Sequence, residues 1–434
     1  MRPEHHDAPR SLRRRPRNGN PVNDALPTPR RHAALVFIFI TVLIDILSFG
    51  VIIPVLPGLI RQFTGGDYAE AAHWVGLFSF LFAAIQFVCA PIQGALSDRF
   101  GRRPVILLSC VGLGIDFVIM AVAQSLPLLL VARVFSGMLS ASFTTANAYI
   151  ADITPAHARA KAFGMIGASF GIGFVIGPLI GGWLGSHDLR WPFWFAAGLA
   201  LCNFLYGVFV LPESLPPEKR SARFDWSHAN PFGAFKLLLR YRQILGMAAV
   251  ILFANLAQYV YPSIFVLLAD YRYHWGPREV SWVLAAVGVL SVIVNVGLVG
   301  RAVKALGERR ALLTGLAFGA AGFAIYGFAP TGAWFLLGLP VSALSALSAP
   351  AAQALVTGQV DPHEQGRVQG ALTALVSLAG IIGPPAYSYV FALFISRHAP
   401  AHLPGAPWLL ASLLLLCAWL AGWGYARTAP SKTA

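Results

Sequence analysis

Three charged side chains lie inside long apolar runs, where a charge is costly. Asp45 and Asp116 are the acidic residues placed well within such runs, and Arg133 is the basic one. A charge at the centre of a membrane-spanning helix costs about 2.5–3.5 kcal/mol on insertion scales. Removal from water disfavours the charged form of a carboxyl group, so such a group can take up and release a proton. We therefore predict proton coupling, with Arg133 paired to Asp45 or Asp116.

Each of these residues also has a simpler interpretation. The two acids can merely pair with a basic group or line a wet cavity. Arg133 can extend its side chain towards the outer interface instead of pairing inside the span.

The composition indicates a membrane protein along almost the whole length. Of 434 residues, 57% are apolar and 12% are charged, whereas a soluble domain carries about 25% charged residues. The mean hydropathy is +0.65. Runs of about 20 apolar residues, enough to cross a bilayer, recur throughout. The sequence predicts an all-α membrane protein in a lipid bilayer.

Twelve helices are predicted, six in each of two bundles at 33–211 and 243–425. The polar stretch 212–242 joins the bundles as a cytoplasmic central loop. The basic tail 1–32 has no apolar period and is expected to be disordered, and 426–434 is a second cytoplasmic tail. The predicted helices are 33–60, 72–95, 104–124, 126–151, 160–185, 191–211, 243–269, 276–300, 310–329, 332–358, 366–395 and 405–425.

Basic residues indicate which helix ends face the cytoplasm. With the N-terminus inside, the outer loops hold only five of the 32 Lys and Arg residues. Cytoplasmic loops are the ones enriched in Lys and Arg. Both termini are therefore predicted to be cytoplasmic, in a bacterial inner membrane. The basic residues behind the net charge of +14 sit in short loops, so no nucleic-acid partner is predicted.

Motifs for catalysis or metal binding do not stand out. The four cysteines have neither metal-ligand spacing nor a paired pattern. There is no nucleotide-binding Gly-Lys-Ser/Thr loop and no His-Glu-x-x-His. We predict no metal site, no cofactor and no enzymatic activity. The cysteines are Cys89, Cys110, Cys202 and Cys417.

The chain contains an internal repeat. Residues 94–103 read GALSDRFGRR and residues 300–310 read GRAVKALGERR, with the two glycines at the same spacing six helices apart. A second echo relates Gly177-Pro178 to Gly383-Pro384. Two parallel six-helix repeats place a substrate site between them, near the membrane midplane.

A set of charged residues and glycines surrounds the loop between the second and third helices. Asp152, at the end of the fourth helix, is a candidate partner for the loop arginines. Such a cluster can latch the cytoplasmic side shut, and breaking it would accompany rocking of the bundles. The alternative is that the basic residues serve membrane topology alone. The predicted gating residues are Gly94, Asp98, Arg99, Gly101, Arg102, Arg103 and Asp152.

Together these motifs resemble the major facilitator superfamily, and within it the drug/proton antiporters. The loop motif from Gly94 to Arg103 is similar to the superfamily signature, and Arg133-x3-Gly137 is similar to the arginine motif of helix 4. The similarity is closest to bacterial tetracycline efflux proteins, in which Asp45 and Asp116 match important acids. The helix 5 signature of antiporters is matched by Gly173, Gly177, Pro178, Gly181 and Gly182.

The resemblance covers about 33–425 and implies a fold and an activity. The fold is the major facilitator fold, two six-helix bundles in a pseudo-two-fold arrangement. The partners are a small-molecule substrate and protons, and the usual state is a monomer. In helix 5, the glycines allow close helix approach and Pro178 bends the helix, which predicts a tight seam between the halves. Generic close packing is the alternative.

Neutral polar residues within the predicted spans are candidates for substrate binding. They can face a central cavity and bind a polar drug, or they can simply make hydrogen bonds between helices. The candidates are Gln86, Asn147, Asn255, Gln258, Tyr259 and Asn295.

The chain departs from the tetracycline exporters in its second half. Those proteins generally carry an acid in helix 9 and a histidine in helix 8. Here the predicted helix 9 has no acid, and Ser291 sits where the histidine is expected. The sequence thus predicts no ionisable residue inside the spans of the second half.

Three functions follow from these observations. The first is proton-coupled efflux of a small-molecule drug, tetracycline-like, by alternating access. The second is a carrier of the same fold for another drug or for a metabolite such as a sugar or organic acid. The third is a membrane-embedded enzyme or sensor, which would need a soluble domain longer than any stretch between the predicted spans.

Overall fold

A computed structural model describes most of the chain, and twelve helices in it are long and apolar enough to cross a membrane. There is no strand in the described part. The all-α class and the twelve spans are thereby confirmed, and the chain is a multi-pass membrane protein. Most of the predicted N-terminal tail and central loop lies outside the described residues, which are 28–140, 142–155, 158–221, 242–360, 365–397, 399 and 401–428.

We number the spans α1 to α12, and eight of them are single helices. These are α1 Thr28–Ile52, α2 Tyr68–Phe100, α3 Arg102–Val122, α5 Arg159–Gly185, α6 Trp191–Val210, α9 Glu308–Phe328, α11 Gln365–Ile395 and α12 Ala406–Thr428.

The other four spans change geometry part-way. Their segments are α4 Leu126–Leu139 with Ser142–Ile153, α7 Arg242–Gln258 with Val260–Tyr273, α8 Pro277–Ile293 with the π-helical Val294–Val299 and then Gly300–Leu306, and α10 Gly332–Ala343 with the 3₁₀ turn Leu344–Leu347 and then Ser348–Thr357.

Prolines explain why α1 ends before the predicted residue 60. The helix stops at Ile52, and a separate short helix, Leu56–Phe63, follows. Pro54 lacks a backbone N–H and its ring clashes with the preceding turn. Pro57 lies in the first turn of the short helix, where a missing N–H costs nothing.

The helices form two bundles that pack alike. Within the first bundle, α3 packs on α4 and α6, and α1 packs on α6; within the second, α9 packs on α10 and α12, and α7 packs on α12. These pairs are related by a shift of six helices. Between the bundles, α2 packs on α11 and α8 packs on α5, which are again equivalent pairs. The packing has the predicted pseudo-two-fold arrangement.

The repeat extends to single backbone angles at two glycines. Gly101, between α2 and α3, has φ 104° and ψ 161°, and Gly307, between α8 and α9, has φ 77° and ψ 158°. Only glycine adopts this region readily. Each glycine N–H also donates to the carbonyl four residues earlier, Ser97 O and Val303 O. The two loops therefore make the same turn.

The bundles touch at one side of the membrane. Arg61 Nη1 forms an ion pair with Asp270 Oδ2 at 2.8 Å. This pair joins the short helix that follows α1 to α7. The Tyr68 and Tyr271 rings meet edge to face at 5.1 Å. The structure extends α7 to Tyr273, so Asp270 lies in its last turns, and the expectation of no ionisable residue in the second-half spans is corrected there.

At the other side the bundles are apart. Along α8, a side-chain carbon built on Gly288 would come 2.6 Å from Val175 of α5, whereas one built on Gly297 or Gly300 meets only open space. Gly370 of α11 also faces open space. The molecule is therefore closed at the end with the α1–α2 and α7–α8 loops and open at the end with the α2–α3 and α8–α9 loops.

Candidate functional site

A buried ion pair joins α3 to α4 in the first bundle. Arg133 Nη2 lies 3.2 Å from Asp116 Oδ2, and the two side chains are 9% and 0% exposed. The guanidinium also contacts Met120 Sδ at 2.9 Å and lies 5.8 Å from the Phe82 ring centroid. Of the two partners expected for Arg133, the structure selects Asp116. The side chain does not extend to the interface, because its charge is matched inside the bundle.

Asp45 has different surroundings, at the junction of α1 with α6. It is half-buried, and Asn203 Nδ2 lies 3.4 Å from its Oδ1. Asn203 also reaches Thr41 O at 3.3 Å and Cys110 Sγ at 3.6 Å. A single buried amide thus holds α1, α3 and α6 together beside the carboxyl group. As a lone amide in the apolar run of α6, Asn203 could have been found in the sequence.

Arg102 is the centre of the charge cluster between α2 and α3. Its side chain lies 2.5 Å from Asp98 Oδ1 and 3.0 Å from Asp152 Oδ2, and it donates to Ser97 Oγ at 2.5 Å. It is nearly buried, with 11% of the side chain exposed. The cluster therefore ties the ends of α2, α3 and α4 to one guanidinium group.

Glu213, at the start of the central loop, completes this cluster and was missed by the sequence analysis. Its carboxylate accepts hydrogen bonds from the backbone N–H groups of Arg102 at 2.9 Å and Arg103 at 3.3 Å. An anion is stabilised at a helix N-terminus by the unpaired N–H groups and the helix dipole. A carbon built on Gly101 would lie only 2.7 Å from Glu213 Cδ. The sequence did carry a signal for Glu213, because it is an acid just beyond α6 and on the same side of the membrane as the loop arginines.

The remaining gating candidates lie outside the contacts of the Arg102 cluster. Arg103 Nη2 donates to Val208 O of α6 at 2.7 Å. Arg99 is exposed and lies over the Phe100 ring at 5.2 Å. Gly94 faces open space. Of the predicted set, Asp98, Gly101, Arg102 and Asp152 are brought together.

A family model decides the identity of this arrangement. The model described as Major Facilitator Superfamily matches residues 38–273 and 247–434. The chain belongs to the major facilitator superfamily. Its twelve spans, its two equivalent bundles and its loop motif all agree with that membership.

Two similar proteins of Escherichia coli carry names that concern one drug class. The tetracycline resistance protein, class C, of Escherichia coli is 37% identical over 388 residues, covering 88% of this chain and 95% of that protein. The class B protein of Escherichia coli is 33% identical, covering 80% of this chain and 86% of that protein. Both matches extend over most of each chain.

A solved superfamily structure shares the fold. The bacterial homologue of the human lysosomal transporter Spinster, inward-facing and unoccupied, has a TM-score of 0.74. It is 17% identical and the match covers 94% of this chain and 100% of that one. At that identity the likeness concerns the fold alone.

The helix 5 signature of the antiporters mostly packs inside the first bundle. A carbon built on Gly173 would come 2.6 Å from Ile46 of α1, and one on Gly177 would come 2.8 Å from Gly50 of α1. Gly181 faces Val51 of the same helix. Gly182 alone of these glycines faces the other bundle, at Ser281 of α8. The seam predicted between the halves thus involves one glycine of the signature.

The neutral polar candidates do not form one site. Asn255 and Asn295 donate to carbonyls of their own helices, Ile251 O at 2.8 Å and Ser291 O at 2.9 Å. Tyr259 fills the space above Gly380 and Gly383 of α11. Gln86 and Asn147 are half-buried in α2 and α4. Gln258 is exposed and lines a pocket in the second bundle.

Proposed function

We propose that this chain exports a tetracycline-like drug from the cytoplasm in exchange for protons, by alternating access. The names of the two Escherichia coli relatives supply the drug class. The observation that carries the proton step is the buried Asp116–Arg133 pair, with Asp45 in the same bundle. The two bundles of one chain form both sides of the path, so the protein acts as a monomer.

The orientation we propose places both termini in the cytoplasm of a bacterium, across its inner membrane. The loops at the open end of the molecule are the ones rich in Lys and Arg. In this orientation the structure is open to the cytoplasm, where the drug enters. The Arg61–Asp270 contact then closes the outer side. Release outside requires the bundles to rock about their shared seams.

Competition between drug and proton at Asp45 is the coupling step that we propose. As a carboxylate, half-buried at the surface of α1, Asp45 attracts a cationic or hydrogen-bond-donating group of the drug. A proton on that carboxylate removes the attraction, so the drug leaves on the acidic outer side. Protonation of Asp116 likewise weakens the pair that joins α3 to α4. Drug and proton are therefore carried in opposite directions.

The Arg102 cluster is the proposed cytoplasmic gate. In the open state its contacts lie within the first bundle, among α2, α3, α4 and the start of the central loop. It holds the α2–α3 turn rigid, so that the turn can meet the second bundle when the cytoplasmic side closes. Gating would then depend on Asp98, Arg102, Asp152 and Glu213 together.

One observation favours another drug, or a metabolite, as the substrate. The interior of α9 has no acid: Glu308 is in the first turn and exposed. Ser291 stands at the expected position of a histidine in α8. A substrate that relies on a charge at either of these two positions would find none. This alternative keeps the transport cycle and changes the cargo.

Drug resistance tests the proposal. The chain is expressed in a bacterial host that lacks its main exporters, and growth is scored on a drug panel that includes tetracyclines, with and without a protonophore. We expect tetracycline resistance that disappears when the proton gradient collapses. Resistance that survives the protonophore would contradict antiport, and resistance only to other drugs would support the alternative cargo.

A further inference from the structure

A pocket lies inside the second bundle, between α7, α8, α9 and α10, and not between the two bundles. Its lining includes amide, hydroxyl and aromatic groups. The polar and aromatic side chains that line the pocket are those of Gln258, Tyr261, Ser291, Phe323, Ser342 and Ser345.

Three of the four helices depart from regular α geometry beside this pocket. The break in α7 falls at Tyr259, directly after Gln258. The 3₁₀ turn of α10 contains Ser345 and begins two residues after Ser342. The π-helical segment of α8 begins three residues after Ser291. Such irregularities are frequent at functional sites, and transporter binding sites are typically formed by interrupted helices.

A chain of hydroxyl groups forms one wall of the pocket. Tyr261 Oη donates to Tyr326 Oη at 3.4 Å, and Tyr326 Oη lies 2.6 Å from Ser342 Oγ. Ser342 Oγ donates onward to Leu339 O at 3.0 Å. These bonds hold the hydroxyls in place before a ligand arrives. The exposed Gln258 side chain makes no hydrogen bond to another described residue, so its amide is available.

An aromatic wall faces the same space. The ring of Trp408 packs behind Tyr261 at 4.8 Å and behind Phe323 at 5.3 Å, centroid to centroid, with both pairs edge to face. Trp408 is fully buried. The backing fixes both rings, and the edge of a planar ring that enters the pocket would contact them.

Charge is missing from this lining. Among the side chains that the structure describes, those around the pocket are all neutral. A charged ligand group would lose its water here without gaining an opposite charge, which is unfavourable. A neutral group with hydrogen-bond donors and acceptors would be satisfied by the hydroxyls and the amide.

We infer that this pocket is a substrate subsite for the uncharged edge of an aromatic ring system, where its hydroxyl and carbonyl groups enter. The cavity volume of about 40 Å³ admits such an edge and not a whole ring. The inference rests on the proposed function, in which such a drug is the cargo. The second bundle then binds the ring edge, and the first bundle exchanges protons. Cargo with a charge on this face is rejected because the pocket offers it no partner.

Binding measurements on the purified full chain test the subsite. Equilibrium dialysis gives the Kd of tetracycline for the unaltered chain and for Gln258→Leu, Ser291→Ala and the double variant. Each single change removes about one hydrogen bond, so we expect each to raise the Kd about fivefold. Ser412→Ala is the matched control, because it removes a buried hydroxyl of α12 that donates to Ala320 O, away from the pocket. Its Kd should not change.

Two small probes test the chemical class. Salicylamide is a neutral ring with a hydroxyl and a carbonyl group, and salicylate is its anionic counterpart. We expect salicylamide to displace tetracycline from the unaltered chain and to lose this ability in the double variant, while salicylate displaces nothing. Equal Kd values in the pocket variants and the control would overturn the subsite. Absence of tetracycline binding to the unaltered chain, with salicylamide still bound, would instead overturn the proposed cargo.

Discussion

The ion pair in the first bundle joins α3 to α4 and, with Asp45, is one of the two proposed sites of proton exchange. Arg133 and Asp116 are almost completely removed from water. Removing one partner of a buried pair leaves an uncompensated charge, whereas replacing both by apolar residues is often tolerated. The two roles can therefore be separated by mutation.

Our prediction for this pair compares single and double variants. Asp116→Leu or Arg133→Leu alone should lower the free energy of unfolding by about 3–5 kcal/mol, because one charge stays buried without its partner. The double variant should recover most of that loss and still fail to transport drug. Thermal unfolding in detergent and drug uptake into everted vesicles are the two measurements. Transport by a stable double variant would show that the pair is structural only.

The charged residues inside the spans were predictable from the sequence, but the pairs that they form were not. An acid or arginine in an apolar run is visible in one sequence. The choice of Asp116 over Asp45 depends on how α3 packs on α4, and that contact is between distant parts of the chain. Glu213 was not predicted as a member of the charge cluster for the same reason. Its carboxylate binds the N-terminus of α3 only because the central loop lies against that helix.

The α2–α3 and α8–α9 turns are built on glycines with similar and unusual backbone angles. Gly101 and Gly307 share this conformation, but only Gly101 is also crowded, by the Glu213 carboxylate. Gly94, in the same motif, has open space around it. An added methyl group would thus meet open space at Gly94 and Gly307 and the Glu213 carboxylate at Gly101, whereas the positive φ is shared by Gly101 and Gly307.

We predict a graded response to alanine at these glycines. Gly94→Ala should leave stability unchanged or slightly raised, since it sits within a helix with room for a methyl group. Gly307→Ala should cost about 1–3 kcal/mol from backbone strain alone. Gly101→Ala should cost more, because it adds overlap with Glu213 to the strain. Unfolding temperatures of the three variants give the order, and equal values for Gly94→Ala and Gly101→Ala would refute it.

The positions of the helices were predictable, and their irregularities were not. Long apolar runs separated by basic loops gave all twelve spans, because a bilayer requires such runs. The π turn in α8 contains Gly297, and the 3₁₀ turn in α10 lies between Pro340 and Pro350. These residues mark places where a helix can be interrupted, but they do not specify which geometry replaces it. The end of α1 at Ile52 was predictable from Pro54, and the predicted end at residue 60 was wrong.

For the whole molecule, closure of one side depends on contacts between the bundles. Arg61 pairs with Asp270 and also donates to the Tyr68 hydroxyl, while Tyr68 meets Tyr271. The two charged side chains are 32% and 27% exposed, so water weakens the pair, and it contributes about 1 kcal/mol at most. Such an energy can shift the balance between two conformations without being needed for folding.

Charge reversal should reveal this shift. Arg61→Asp places two acids together and should raise the population open at this side about fivefold or more, because about 1 kcal/mol of attraction is lost. The double variant Arg61→Asp with Asp270→Arg should restore the original balance. The measurement is labelling of a cysteine at Gln258 by a membrane-impermeant maleimide added from outside. Arg278→Asp, an exposed reversal at the start of α8, is the control; equal labelling in it and in Arg61→Asp would contradict the role of the pair.

Drug and proton compete within the first bundle in the proposed cycle, so binding of the drug should release protons to the solution. Tetracycline is added to the purified full chain in weakly buffered detergent solution, and a pH-sensitive dye records protons released to the solution. We predict proton release on drug binding by the unaltered chain at mildly acidic pH, and loss of that release in Asp45→Asn. Binding of the drug by the unaltered chain without any proton release would contradict competition between drug and proton.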